Sequence, residues 1–231
     1  MINLIAHRGN NNHEYKENTI NAILACLNED YINGVELDVR ITKDKKIVVV
    51  HDYTINRTSN GAGIVKNMTL KELRKYNFGS KNKPDMIPLL DEVLKKIRSS
   101  KIIVVELKNE FDNVEEISKR VIKIVKKYPK LNIYLTGFSH KLTSYIKVKE
   151  PHLKIGFANI IITNKTIFDD YYDAYFINYK FFNNYKTVKP LFFWTINKVE
   201  FFREKKKVIN NNMYFITDKA YLLKDIKKSL S

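Results

Sequence analysis

Short apolar runs that alternate with helix-like segments constrain the fold of this chain more than any other feature. We predict eight strands, at residues 4–6, 35–41, 102–108, 133–138, 155–158, 175–178, 191–195 and 214–217. Helix-like spacing of apolar residues separates most of them, which is typical of a parallel sheet covered by helices on both faces. Eight such strands in 231 residues predict an α/β fold of the TIM type, a closed (β/α)8 barrel.

The regular alternation is interrupted once, after the second strand. Residues 52–86 contain a glycine-rich turn at 61–63 and the sequence Thr69-Leu70-Lys71-Glu72, which is the pattern of a helix capping box. We therefore predict that residues 1–231 form a single domain and that about 52–86 form a small insertion within it.

Composition favours a globular protein of the cytoplasm. Hydrophobic residues make up 44% and charged residues 29% of the chain, enough for a sizeable core. No apolar run approaches the roughly 18 residues that a membrane span needs, and we expect no transmembrane segment. The N-terminus lacks the pattern of a signal peptide. A single cysteine, Cys26, is typical of a reducing compartment.

The formal net charge of +16 has two interpretations. A basic surface attracts nucleic acids and anionic membranes. However, Lys, Asn, Ile, Tyr and Phe are all abundant, as AT-rich coding DNA produces, and the lysines are spread along the chain without a recognisable binding module. We expect no dedicated nucleic-acid site and a surface that helps to attract a small anionic substrate. The sequence contains no pattern that specifies an oligomeric state.

The second predicted strand carries charges on one face. Glu36, Asp38 and Arg40 alternate with apolar residues, so the two carboxylates point the same way, about 7 Å apart along the strand. Inside a sheet covered on both sides, unpaired carboxylates are costly and need a cation or hydrogen-bond donors. Arg40 is one candidate for that partner.

A third carboxylate favours a metal. Glu106 and Lys108 share a face of the third predicted strand, and three carboxylates match the oxygen ligands of Mg²⁺ or Ca²⁺. Zinc is disfavoured because no cysteine or close histidine pair accompanies them. Buried Glu106–Lys108 or Glu36–Arg40 ion pairs without metal are the alternative, and spacing alone does not decide between the two.

Two histidines flank the acids in sequence. His7 and His51 each follow a predicted strand, and such a pair can divide the proton transfers of a hydrolysis. Arg8 and Lys108 would supply positive charge to a phosphate. The remaining histidines, which we interpret as surface or packing residues, are His13, His140 and His152.

The order of the motifs resembles a known family, the glycerophosphodiester phosphodiesterases. The resemblance runs from residue 4 to about residue 225. The motifs are His7-Arg8-Gly9, Glu17-Asn18-Thr19, Glu36-Leu37-Asp38-Val39, His51-Asp52, Arg57-Thr58, Glu106-Leu107-Lys108, Trp194-Thr195-Ile196-Asn197 and Thr217-Asp218.

The resemblance implies a TIM barrel with an extra segment after the second strand and one divalent cation, Mg²⁺ or Ca²⁺. It implies that Glu36, Asp38 and Glu106 hold the metal and that His7 and His51 are catalytic.

Four further residues have implied roles. Arg8 and Glu17 would support the site, Lys108 would face the phosphate, and Trp194 would line the pocket. The alternative for Trp194, which follows two phenylalanines, is a core residue.

The chain departs from the family pattern at three turns. Lys16 replaces a proline, Asp44-Lys45 replaces Asp-Gly, and residues 210–212, all asparagine, replace a glycine. Lysine and asparagine cost little at turn positions, so we expect these changes to affect loop geometry and to leave the chemistry intact.

The resemblance implies hydrolysis of glycerophosphodiesters to sn-glycerol 3-phosphate and an alcohol. Since no activated serine or cysteine is evident, we expect the substrate's own 2-hydroxyl to attack phosphorus. One alternative is a phospholipase D-like or lysophospholipase D activity, with an apolar groove from the Phe/Tyr-rich residues 171–185. Another is a catalytically silent barrel that binds polyanions.

Overall fold

Eight parallel strands close into a barrel in the computed structural model, which describes residues 2–10, 15–108, 114–159, 171–183, 185 and 187–229. The strands are β1 (Asn3–Ala6), β2 (Gly34–Ile41), β3 (Ile47–Val49), β4 (Ile102–Leu107), β5 (Asn132–Thr136), β6 (Lys154–Asn159), β7 (Ala174–Asn178), β8 (Leu191–Trp194) and β9 (Met213–Thr217). The helices are α1 (Ile20–Leu27), α2 (Leu70–Leu73), α3 (Leu90–Lys96), α4 (Val114–Val125), α5 (His140–Lys149), α6 (Val199–Lys205) and α7 (Lys224–Ser229).

Strand pairing follows the order β1-β9-β8-β7-β6-β5-β4-β2, and a β1–β2 pairing closes the ring. The predicted TIM-type barrel is therefore confirmed, with strand ends that differ by one or two residues from those expected. β3 stands outside the ring and pairs antiparallel with β2.

Alternation along the strands produces two separate cores. On β4, Ile103 and Val105 belong to the large core between the strands and the helices, whereas Ile102 and Val104 belong to a smaller core that also contains Phe192. The period of two places this second set inside the barrel. Glu106 shares the parity of Val104 and therefore faces the barrel interior.

The β2–β3 hairpin brings the chain back towards the barrel interior. Val39 pairs with Val49, and the amide of Val50 donates to the carbonyl of Asp38 at 2.9 Å. His51 is therefore returned to the level of β2 that carries the acids, although β3 is not a barrel strand.

Strand β3 and the segment that follows it share a small core. Its buried residues are Val48, Val50, Ile55, Val65, Leu73, Phe78 and Ile87. The predicted capping box is present at the start of α2, where Thr69 and Glu72 exchange side-chain-to-backbone hydrogen bonds. None of the described helices is both long and apolar enough to cross a membrane.

Candidate active site

Asp38 and Glu17 contact Arg8, and the other seven predicted site residues line one cavity of about 210 Å³ at the C-terminal ends of the barrel strands. Its lining comprises His7, Arg8, Glu36, His51, Val104, Glu106, Lys108, Thr136, Phe138, Ala158, Phe176, Trp194, Thr195 and Ile216. One side is charged and the other is mostly apolar, so the cavity suits a ligand with an anionic group and a carbon skeleton.

Three carboxylates cluster at the charged side of the cavity. β2 and β4 are adjacent, and their register places Asp38 opposite Glu106. Oxygen atoms of Glu36, Asp38 and Glu106 lie within 4.8 Å of one another. Glu36 and Asp38 are 3% and 0% exposed, so this cluster is taken out of water.

The cluster fits a hard divalent cation. The Oε1 atom of Glu36 is buried without a hydrogen-bond donor. Burial, and then the charge of Asp38, raises the pKa of Glu36 to about 8. Burial also raises the pKa of Glu106. Repelling carboxylate oxygens of this kind are the ligands that Mg²⁺ and Ca²⁺ take in proteins, so these three residues could bind a metal ion.

Lys108 balances part of the negative charge. Its Nζ lies 2.9 Å from Oδ1 of Asp38 and also donates to Oε1 of Glu106. Burial opposes the charge of this ammonium, but Asp38 and Glu106 outweigh it and raise the Lys108 pKa. The Glu106–Lys108 ion pair considered from sequence is thus present beside the acid cluster. Arg40, in contrast, donates through Nε to the carbonyl of His51 at 2.7 Å.

His7 is oriented by a carboxylate from the other end of the chain. Its Nδ1 donates to Oδ1 of Asp218 at 2.6 Å, and its Nε2 lies 3.7 Å from Oε2 of Glu36. Burial lowers the pKa of His7, but Asp218 and Glu36 together raise it above its ordinary value. Asn197 holds Asp218 through a side-chain amide at 2.8 Å.

His51 has the same arrangement with a different carboxylate. Its Nδ1 donates to Oδ1 of the adjacent Asp52 at 2.8 Å. Burial lowers the pKa of His51 in spite of the nearby charge of Asp38. Both histidines therefore have Nδ1 occupied by a carboxylate, which leaves Nε2 as the nitrogen available for proton transfer.

Arg8 directly follows His7 and contacts two of the acids, Glu36 and Asp38. It adopts a left-handed backbone with φ of 56°, and its amide donates to Oε2 of Glu36 at 3.0 Å. Its guanidinium Nε lies 3.4 Å from Oδ2 of Asp38, and its Nη1 donates to Oε1 of Glu17 at 3.1 Å. Arg8 thus places positive charge at the cavity wall while Glu17 supports it from behind.

Asn18 has a role that sequence reasoning missed. The N-cap of α1 is the next residue, Thr19. Asn18 is instead buried, with φ of 58°. Its amide donates to Oδ2 of Asp38 at 3.0 Å and its Oδ1 accepts from the amide of Asp38 at 3.3 Å. It therefore fixes the orientation of that carboxylate.

Asp218 and Asp52 were also missed as partners of the histidines. Each belongs to a quoted motif, but only proximity shows what it contacts. A signal did exist for Asp218, because it directly follows β9 and so lies at the C-terminal end of a barrel strand. Asp52, next to His51 in sequence, carries no comparable signal.

Aromatic residues form the opposite side of the cavity. The Trp194 ring meets Phe138 edge-on, with ring centroids 5.4 Å apart, and its Nε1 is buried without an acceptor. Phe176 also lines the cavity. Within the described part of residues 171–185, Phe182 instead packs against Phe193 in the core. The cavity therefore has an apolar wall, built from three different parts of the chain.

The other histidines lie elsewhere. His140 and His152 are exposed and do not line the cavity, as expected of surface residues. His13 lies outside the described residues.

Residues 7–215 match the sequence model of the glycerophosphoryl diester phosphodiesterase family. A glycerophosphodiester phosphodiesterase of Caldanaerobacter subterraneus subsp. tengcongensis is 38% identical over 66% of this chain and 65% of its own length. One from Bacillus altitudinis is 33% identical over 68% of this chain and 66% of its own length. The matched region thus spans just under two thirds of these curated relatives.

Solved structures agree in fold. A phosphodiesterase of Oleispira antarctica in complex with sn-glycerol-3-phosphate superposes with a TM-score of 0.84 at 20% identity, over 96% of this chain and 95% of that one. A glycerophosphodiester phosphodiesterase of Thermotoga maritima has a TM-score of 0.74 at 24% identity, over 98% of each chain. The family match over most of the sequence, together with this shared barrel, shows that the chain belongs to the glycerophosphoryl diester phosphodiesterase family.

Proposed function

We propose that the protein hydrolyses glycerophosphodiesters to sn-glycerol 3-phosphate and an alcohol. The observation that carries the proposal is the pair of histidines, His7 and His51, each held at Nδ1 by a carboxylate and both lining one cavity with the acid cluster. Two similar relatives bear the name of this activity, and the Oleispira antarctica neighbour is described with sn-glycerol-3-phosphate as product.

Glu36, Asp38 and Glu106 would hold one divalent cation, Mg²⁺ or Ca²⁺. When bound there, such an ion polarises phosphoryl oxygens and stabilises charge that develops on them. Asn18 would prepare these three ligands for the cation, because its amide fixes the orientation of the Asp38 carboxylate. Mg²⁺ and Ca²⁺ both take oxygen ligands, so a comparison of activity with each added ion distinguishes them.

The two histidines would divide the proton transfers. One Nε2 takes the proton of the substrate's 2-hydroxyl, whose oxygen forms a bond to phosphorus while the bond to the leaving alcohol breaks. The other Nε2 gives its proton to that alcohol, and the product is a cyclic phosphate. Water then opens the ring with the roles of His7 and His51 reversed. Intramolecular attack of this kind can correspond to an effective molarity of ~10⁵ M or more.

Arg8 and Lys108 would bind the phosphate. Both line the cavity and both are cations beside the acid cluster, where they can offset charge that builds up on phosphoryl oxygens. Trp194 would lie against the carbon skeleton of the substrate, and Glu17 would keep Arg8 in place.

The proposal is tested with a panel of substrates in the presence and absence of added Mg²⁺ or Ca²⁺. We expect glycerophosphocholine and glycerophosphoethanolamine to yield glycerol 3-phosphate, and chelation to stop turnover. Faster cleavage of lysophosphatidylcholine would favour lysophospholipase D activity instead. Absence of any diester cleavage, with nucleic-acid binding at moderate salt, would favour a polyanion-binding barrel.

The nucleophile is tested with a 2-deoxy analogue of the preferred substrate. We expect the analogue to bind but hardly to react, and a cyclic glycerophosphate to be detectable early in turnover of the natural substrate. Comparable hydrolysis rates for both compounds would mean that water attacks phosphorus directly.

A further inference from the structure

Arg57 lies in the insertion and is not part of the cavity lining. Its side chain is half exposed, yet its guanidinium binds two carboxylates at once. Nε and Nη2 donate to Asp52 at 2.7 and 2.9 Å. Nη1 and Nη2 donate to Glu17 at 2.9 and 2.7 Å. Two forked contacts of this kind fix a guanidinium in position and orientation.

Each of the two carboxylates also binds a residue of the catalytic site. Asp52 accepts from Nδ1 of His51 at 2.8 Å, and Glu17 accepts from Nη1 of Arg8 at 3.1 Å. The five groups form one hydrogen-bonded series, Arg8, Glu17, Arg57, Asp52 and His51. This series joins the segment after β1 to the segment after β3 and has Arg57 at its centre.

The charges in the series are well defined. The hydrogen bonds from Arg57 keep the pKa of Asp52 well below its usual range. Burial raises the pKa of Glu17, but Arg57 and Arg8 outweigh it and lower the net value. Both carboxylates are therefore ionised acceptors at neutral pH.

Stability alone gives little reason for such an arrangement. Ion pairs of half-exposed side chains contribute at most about 1 kcal/mol. Displacement of a reacting group by about 1 Å, in contrast, can lower a rate ~10²-fold. We propose that Arg57 is a positioning residue that fixes His51 relative to Arg8, in the reaction proposed above.

The chain offers a matched control in Arg74. This residue also lies in the insertion and is partly exposed, and its Nη2 donates to both oxygens of Glu92 on α3 at 2.6 Å. The Arg74–Glu92 pair therefore also links the insertion to the barrel, but neither residue lines the cavity. Loss of this pair therefore tests the effect of weakening the contact between the insertion and the barrel while the link to His51 stays intact.

The first experiment compares the steady-state kinetics of Arg57→Ala, Arg57→Lys and Arg74→Ala. The assay temperature is one at which thermal unfolding shows every variant to be folded. We expect Arg57→Ala to lower kcat about 10²-fold, with a smaller effect on KM. Arg57→Lys should restore little of this loss, because an ammonium cannot form two forked contacts. Full recovery with lysine, or an equal loss in Arg74→Ala, would overturn the proposal.

The second experiment asks whether Arg57 acts through Asp52. If it does, adding Arg57→Ala to Asp52→Asn lowers kcat by no more than about 3-fold beyond Asp52→Asn alone, since the two residues share one path. Arg74→Ala should combine independently with Asp52→Asn. Multiplication of the separate Arg57 and Asp52 losses would show that Arg57 does not work through this carboxylate.

A third measurement does not depend on turnover. Two-bond ¹H–¹⁵N correlation spectra report which ring nitrogen of His51 carries the proton. We expect protonated Nδ1 in the wild type and in Arg74→Ala, and a mixture of tautomers in Arg57→Ala. An unchanged His51 spectrum in Arg57→Ala would refute the positioning role, whereas an inactive wild type with the expected spectra would refute only the proposed reaction.

Discussion

At the scale of single residues, the candidate site is an arrangement of orienting contacts as much as of proposed reactive groups. Asp218 and Asp52 occupy one nitrogen of His7 and His51 respectively, so each ring can turn only by breaking a charge-assisted hydrogen bond. Asn18 does the same for Asp38. Catalysis by such groups depends on this pre-set geometry.

The histidines give the most direct test at this scale. We expect His7→Ala and His51→Ala each to lower kcat about 10²–10⁴-fold, the usual contribution of one general acid or base. The double variant should lose no more than the product of the two, because the residues act together.

The matched controls are His140→Ala and His152→Ala, which replace exposed histidines outside the cavity. Both should keep near-normal kcat. A large loss in either would mean that the site lies elsewhere.

Sequence reasoning was strong for residues whose position follows from periodicity. Alternation alone places Glu36 and Asp38 on one face, and the structure brings Glu106 to the same place through the register of β2 and β4. It was weak for Asn18 and Asp218, whose partners are set by the three-dimensional path of the chain. No local pattern states that Asp218 contacts a residue 211 positions earlier.

At the scale of elements, the β2–β3 hairpin connects the acids to His51. Its turn contains Lys45, which has a φ of 62°. A left-handed backbone costs a residue with a side chain about 1–2 kcal/mol, which glycine avoids. The expectation that lysine costs little at this turn is therefore wrong for Lys45, although the hairpin keeps its register.

Lys45→Gly should stabilise the protein. The relief of the left-handed conformation exceeds the ~0.5–1 kcal/mol entropy cost of glycine, and a net gain of ~0.5–1 kcal/mol raises Tm by about 1–4 °C for a chain of this size. Differential scanning calorimetry measures the change.

Lys43→Gly is the control in the same turn. Lys43 is exposed and has no positive φ, so glycine there should lower Tm or leave it unchanged. Equal gains for both variants would contradict the conformational explanation.

Element prediction succeeded where a run of residues was strongly periodic. All eight barrel strands were expected from apolar runs, and Thr69 and Glu72 correctly marked the start of α2. The packing of β3 against the insertion could not be predicted from the sequence. The residues of their shared core come from scattered positions between Val48 and Ile87. Their association is a tertiary effect that periodicity does not report.

At the scale of the whole molecule, charge is distributed unevenly. The chain has a formal net charge of +16, yet its barrel interior holds three acidic residues within a few ångströms. Lys108 and Arg8 compensate only part of this local charge. A divalent cation bound there would relieve the remaining repulsion and so favour the folded state.

We therefore expect Mg²⁺ or Ca²⁺ to raise Tm. A concentration of 100 times the dissociation constant corresponds to about 2.7 kcal/mol, or roughly 5–11 °C for a protein of this length. Glu36→Gln and Glu106→Gln should each remove most of that shift and most activity while the protein stays folded.

Glu115→Gln provides the comparison for the metal experiment, because Glu115 lies exposed on α4. Its Tm should respond to the metal as the wild type does. If the cluster variants responded equally, the three acids would be structural ion-pair partners.

The contact between His7 and Asp218 also bears on biosynthesis. A ribosome releases the N-terminal residues first, and the three acids and both histidines emerge more than 100 residues before Asp218. The nascent polypeptide therefore holds the proposed reactive groups long before it can orient His7. Only the arrival of β9 supplies Asp218 and closes the ring between β8 and β1. We expect activity to appear in a single step late in translation, so that stalled translation products are catalytically silent.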